Sequence, residues 1–178
     1  MDELQIERIL SELPWTKNVF QGVYSSDTLP RKKIKTRPCA MVVNTDQEHE
    51  PGSHWSAIFL DDDGTGEYFD SYGIPPLSRH VLDFLNKQTN NNWTFNTRQL
   101  QGAYTTLCGG YCIFYIMYKC RYNLSMERII RMMFPIEHAP PLSNDIKVQK
   151  SLKQRFGLFV PLVAMDVVTQ QLLRMYKQ

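Results

Sequence analysis

No run of apolar residues in the chain is long enough to cross a bilayer. The longest, such as residues 112–117, fall well short of the ~20 that a spanning helix needs, so no membrane association is expected. Charge of one sign is also missing. The 20 Lys and Arg and 18 Asp and Glu leave a formal +2 with His neutral, which excludes a strongly cationic nucleic-acid coat and leaves room for a local basic patch. Cysteine is scarce and unpatterned: Cys39, Cys108, Cys112 and Cys120 form no CxxC pair, so neither a structural zinc site nor any other metal site is expected. Internal repeats, low-complexity blocks and linkers are absent. The opening Met1-Asp2-Glu3 lacks the basic start and apolar stretch of a secretory signal. A soluble, reducing compartment is therefore expected, and the sequons Asn92-Trp93-Thr94 and Asn123-Leu124-Ser125 are read as chance matches.

The 178 residues, 43% hydrophobic and 21% charged, have the composition of an ordinary folded domain. A chain of this size buries roughly 68–70% of its unfolded surface, so residues 1–178 are expected to form one domain without metals or disulfides. Ile6, Ile9, Leu10 and Leu13 share one helical face, Asp2 and Gln5 suggest a capping box, and Pro14 ends that first helix. A loop rich in turn residues is expected next. Residues 39–43 read as a buried strand, and residues 54–60, apolar on both faces, as a central one. The Asp- and Gly-rich loop 61–66 then returns the chain into a strand over 67–71. In such an antiparallel hairpin His54 and Asp70 become neighbours, opposite or diagonal according to a register that the sequence leaves open. A short helix around Val81, Leu82 and Leu85, a strand at 93–95, a helix at Cys108–Tyr122 that is apolar all round, and helices near Met126–Met133 and 161–176 complete an α+β reading.

Cys108 opens the buried helix, where the macrodipole and unpaired N–H groups favour an anion and lower a thiol's pKa. It is the candidate nucleophile. His54, alone among the four histidines in starting a buried strand beside a carboxylate, is the candidate base, and Asp70 the group that orients its ring. Gln101, seven residues before Cys108, is expected to join the Cys108 backbone N–H as an oxyanion donor. Trp55 is expected to wall the substrate cleft, and Gly109 and Gly110 to leave room in it for a peptide backbone. Cys112, one turn further into the helix, is expected to be inert.

The ordered phrases Gly52-Ser53-His54-Trp55, Tyr68-Phe69-Asp70-Ser71-Tyr72-Gly73 and Gln101-Gly102-Ala103-Tyr104-Thr105-Thr106-Leu107-Cys108-Gly109 resemble the adenovirus maturation protease family, adenain, and the adenain-like proteases of Maverick/Polinton elements. The likeness runs through most of the chain. It implies a papain-like cysteine protease fold reached in permuted order, with a small mixed or antiparallel central sheet flanked by helices. His54, Asp70 and Cys108 take the triad roles by this resemblance, and Gln101 the oxyanion role. The implied activity is that of a cysteine endopeptidase, a thiol protease, cutting capsid and core precursors at Gly-containing sites during virion maturation. The host nucleus and the virion are its implied locations, and a monomer its expected state. No cofactor is expected for the chemistry.

Many adenoviral enzymes carry Glu where this chain has Asp70, a methylene shorter and so needing a closer strand pairing. The Tyr68-to-Gly73 phrase is also similar to SUMO-deconjugating proteases. Adenain is stimulated by a viral peptide disulfide-bonded to a cysteine between the acidic residue and the glutamine. Here no cysteine falls between Cys39 and Cys108, so peptide stimulation is expected to be noncovalent. DNA is the family's other activator. Arg31, Lys32, Lys33, Lys35 and Arg37 are the candidate contacts for weak binding, with Lys147, Lys150, Lys153 and Arg155 a second basic stretch. Two other functions suit the same residues: a SUMO- or ubiquitin-like deconjugating protease, and an inactive protease-fold module that binds DNA or a protein partner.

Overall fold

The computed structural model describes residues 1–162, so the helix expected over 161–176 lies, beyond its first two residues, outside the described residues. Helix α1 (Glu3–Glu12) starts on the expected capping box. The Asp2 carboxylate accepts the Gln5 N–H at 2.9 Å, and the Gln5 side chain accepts the Asp2 N–H at 3.2 Å. Ile6, Ile9 and Leu10 bury its apolar face.

Five strands form one mixed sheet in sequence order. They are β1 (Phe20–Tyr24), β2 (Cys39–Asn44), β3 (Trp55–Leu60), β4 (Gly66–Phe69) and β5 (Trp93–Phe95). The outer pairs β1–β2 and β4–β5 are parallel, and the inner pairs β2–β3 and β3–β4 antiparallel. Alternation along β2 and β3 divides the core. Ala40, Val42, Ala57 and Phe59 face helices α1, α3 (Cys108–Tyr122), α4 (Met126–Met133) and α5 (Pro141–Phe156). Met41, Val43, Ile58 and Leu60 face α2 (Arg79–Thr89) through Val81, Phe84 and Leu85. Covered on both sides, β2 and β3 need the continuous apolar runs they carry. This is the α+β arrangement expected from the sequence.

Two elements escaped the sequence pattern. Strand β1 falls where a loop is expected. Its register shifts between Phe20 and Val23 around Gly22 at φ 130°, and Phe20 alone is fully buried, so no alternation is visible. Helix α5 buries Asn144, Asp145, Val148 and Leu152, a face half polar that breaks the apolar periodicity of an amphipathic helix. Strand β4 also ends earlier than expected. The Asp70 N–H donates to Asn96 Oδ1 at 2.8 Å, and Asn96 Nδ2 donates back to the Asp70 carbonyl at 2.6 Å, so a side chain stands where a strand partner would.

The chain leaves β4 in a tight turn. The Gly73 N–H donates to the Asp70 carbonyl at 3.0 Å, Gly73 sits at φ 73°, and an added Cβ would meet the Arg98 backbone carbon at 2.6 Å. Left-handed strain and a backbone clash act together there, so Gly73→Ala is expected to cost about 2–4 kcal/mol. Thermal unfolding would register this as a Tm lower by roughly 5–15 °C, whereas a change within about 1 °C would contradict the packing of this turn on Arg98.

Candidate active site

Cys108 is the first residue of α3 and is 8% exposed. Helix geometry leaves the N–H groups of the first turn without intrahelical acceptors. The Gly109 N–H among these, the Trp55 N–H of β3 and His54 all act on the Cys108 thiol. Burial pushes the thiol up, but the His54 hydrogen bond and charge, with the two backbone N–H groups, outweigh it and hold Cys108 below its ordinary value.

The β3–β4 register places His54. Pairing of Ala57 with Phe69, continued outward, sets Ser56 across from Asp70 and His54 across from Tyr72. Asp70 is therefore the diagonal neighbour of His54, and His54 Nε2 lies 2.7 Å from Asp70 Oδ2. With Nε2 donating to the carboxylate, Nδ1 is the nitrogen left for Cys108. Burial opposes a charge on the ring. The hydrogen bonds to Asp70 and Cys108, and then their negative charges, overcome that and raise His54 to about 9. Both shifts favour the charged forms, a thiolate beside an imidazolium backed by a carboxylate.

Asp70, 1% exposed, is itself held. Its Oδ2 also accepts from Ser56 Oγ at 3.0 Å, its Oδ1 accepts the Tyr72 N–H at 2.7 Å, and Ser56 Oγ in turn accepts the Tyr68 hydroxyl at 2.9 Å. Sequence reasoning missed Ser56, Tyr68 and Asn96. Ser56, a polar residue inside a strand apolar on both faces, was the available signal.

Gln101 is fully buried. Ser71 Oγ donates to its Oε1 at 2.6 Å, and its Nε2 donates to the Thr105 carbonyl at 2.7 Å and reaches the Tyr72 hydroxyl at 3.4 Å. Helix α5 fixes the loop that carries it. Asp145 Oδ2 accepts the Gly102 N–H at 2.9 Å, Asp145 Oδ1 accepts the Tyr111 hydroxyl at 2.8 Å, and Asn144 Nδ2 donates to the Leu100 carbonyl at 3.1 Å. Burial pushes the Asp145 carboxyl up against these hydrogen bonds. Neither residue stood out in a helix the sequence did not announce.

Trp55, next to His54 in the chain, is half-buried, its indole N–H donating to the Met1 carbonyl at 3.3 Å. Gly109 and Gly110 correct their expected role. An added Cβ on Gly109 would meet Ile6 Cδ1 at 2.9 Å, and one on Gly110 would meet Leu152 Cδ1 at 2.8 Å. Their missing side chains admit α1 and α5, not a substrate. Arg37 also departs from expectation, because its guanidinium donates to the carbonyls of Gln88 at 2.7 Å and Asp61 at 3.2 Å, tying the basic segment down. Arg31, Lys32, Lys33 and Lys35 stay exposed. Cys112 is buried with its thiol pushed well up and donating to the Trp55 carbonyl. Burial likewise raises Cys39 to about 11 and Cys120 to about 12, so Cys108 alone among the four is activated. A cavity of about 560 Å³ opens against His54 and Tyr72, rimmed by Asp46, Glu50, Ile74 and Leu77.

No protein-family model and no curated protein matches the chain. Among solved structures it is similar to the crystal structure of the ASFV pS273R protease, with a TM-score of 0.52 and 21% identity over 73% of this chain and 61% of that one. The chain therefore spans 61% of that protease, and the likeness is one of fold: a mixed α+β architecture related to that protease's.

The ion pair predicts a distinctive alkylation profile. Cys108 is expected to react with iodoacetamide near pH 7 as a thiolate, and His54→Ala, which leaves only the two backbone N–H groups to oppose burial, to slow it by about tenfold or more at that pH. Equal rates in the two proteins, measured by mass spectrometry of the Cys108 peptide, would contradict the pairing.

Proposed function

We propose that the chain is a cysteine endopeptidase. One observation carries this reading: His54 Nε2 rests on Asp70 at 2.7 Å while the same ring holds down the thiol pKa of Cys108 at the head of α3. Folding has no use for a buried ion pair at a helix start with its own carboxylate and hydroxyl support, whereas nucleophilic catalysis needs each part.

In the proposed cycle the Cys108 thiolate attacks the scissile carbonyl carbon, and the C=O electron pair moves onto oxygen. The Cys108 N–H holds that oxyanion, joined by the Gln101 amide hydrogen that in the resting site makes the longer bond to the Tyr72 hydroxyl and is released to the oxyanion. As the tetrahedral intermediate collapses, the imidazolium of His54 protonates the leaving amine and an acyl-enzyme remains. Neutral His54 then takes a proton from water, whose hydroxide attacks the thioester. Collapse of that second intermediate releases the carboxylic acid and restores the thiolate beside the recharged ring. Asp70 keeps the tautomer and stabilises the imidazolium throughout.

Resemblance to the adenain group supports the substrate class: polypeptide precursors of viral or element-encoded particles, cut at Gly-containing sites during maturation, with the enzyme acting as a monomer in the host nucleus and the virion. The exposed Arg31, Lys32, Lys33 and Lys35 are proposed to give weak, salt-sensitive DNA binding, without Arg37. Any activating peptide would bind noncovalently.

Cleavage assays test the reading. A Gly-containing capsid-type peptide is expected to be cut and a SUMO precursor left intact, and Cys108→Ser to lose nearly all turnover with an unchanged circular dichroism spectrum. Gln101→Ala is expected to lose roughly 10²–10³ in kcat. Preferential processing of the SUMO precursor would favour deconjugation instead, and an active Cys108→Ser variant would remove the nucleophile.

A further inference from the structure

Tyr72 takes no part in the cycle above, yet it meets its members. Its N–H donates to Asp70 Oδ1 at 2.7 Å, its ring stacks on His54 with centroids 4.8 Å apart, and its hydroxyl oxygen lies 3.4 Å from Gln101 Nε2. The decisive point is where the hydrogens go. The Gln101 amide gives one hydrogen to the Thr105 carbonyl, and the one directed at Tyr72 makes the phenol oxygen an acceptor. The phenol's own O–H then has no acceptor among the described residues. The buried tyrosines differ: the hydroxyls of Tyr68, Tyr111 and Tyr115 donate to Ser56, Asp145 and Glu67.

Exposure separates the two donors as well. Gln101 is fully buried, whereas Tyr72 is partly exposed and borders the cavity beside His54. Burial, and after it the negative charge of Cys108, push the Tyr72 phenol up, so it keeps its proton where the thiolate exists. A neutral O–H without an acceptor, on a ring stacked against His54 and beside the Gln101 amide, is available to an oxyanion that forms there.

We propose that the Tyr72 hydroxyl is a further catalytic donor, hydrogen-bonding the oxyanion together with the Cys108 N–H and with the Gln101 hydrogen that the phenol oxygen accepts in the resting site and releases to the oxyanion. This rests on the endopeptidase reading. The electron pair that moves onto the carbonyl oxygen during attack accepts the Tyr72 hydrogen bond and returns when the intermediate collapses. Tyr72 donates without giving up its proton.

Tyr72→Phe keeps the backbone N–H and the ring on His54 and removes the hydroxyl. On a Gly-containing peptide the variant is expected to lose about 10²-fold in kcat, with KM within about threefold and the pH profile of Cys108 alkylation unchanged. Affinity for a glycinal peptide aldehyde, whose carbonyl carbon bonds the Cys108 sulfur, is expected to fall similarly, while the matching peptide alcohol binds as before. A variant equal to wild type in turnover and in aldehyde affinity overturns the proposal. So does one whose alkylation profile shifts along with kcat, since the hydroxyl would then be supporting His54. If wild type cleaves no peptide yet Tyr72→Phe still weakens the aldehyde alone, the endopeptidase reading fails and the donor stands.

Discussion

The site depends on the antiparallel pairing of β3 with β4. Side chains in a strand alternate between faces, so a slip of one residue would turn His54 away from both Asp70 and the sulfur. The observed register is fixed from both faces. Ala57 and Phe59 pack toward α3, Ile58 and Leu60 toward α2, and Tyr68 on β4 reaches across to Ser56 on β3. The same hairpin presents the Trp55 N–H to the sulfur, so strand and helix meet at the one atom whose charge matters.

Burial works against every charge in this site, and the arrangement is a set of answers to it. Removing ions from water costs several kcal/mol each unless hydrogen bonds and a counter-charge replace the solvent. The sulfur has two backbone N–H groups and the imidazolium; the imidazolium has the carboxylate; the carboxylate has the Ser56 hydroxyl and the Tyr72 N–H as well as the ring. Where such partners are absent the outcome reverses. Cys112, one turn along the same helix, meets apolar neighbours and the same Trp55 backbone through its carbonyl, and stays a thiol. The adjacency of Cys108 and Cys112 isolates the effect of environment on one kind of side chain.

Much of this was legible in the sequence, for identifiable reasons. The capping box, the bounds of Cys108–Tyr122 and Met126–Met133, and the two-faced strands rest on local patterns that packing did not override. His54, Asp70 and Cys108 could be singled out as candidates because His54 begins a strand beside a carboxylate and Cys108 opens a helix, and the resemblance to adenain implied their triad roles. What stayed hidden is what depends on distant segments. Asn96 closes the end of β4, and Asn144 and Asp145 brace the Gln101 loop from a helix far along the chain. Gly109 and Gly110 sit beside the nucleophile in sequence, but the space they leave is filled by Ile6 and Leu152. Arg37 reads as one more cation in a basic run until its two backbone acceptors are seen.

The account turns on a charged ring next to a charged sulfur in the resting protein, and nuclear magnetic resonance titration of the His54 imidazole reads that state directly. A ring protonated at pH 7 and titrating near 9 is the predicted result. A ring neutral at pH 7, titrating at or below the ~6.5 of a free histidine, would contradict it.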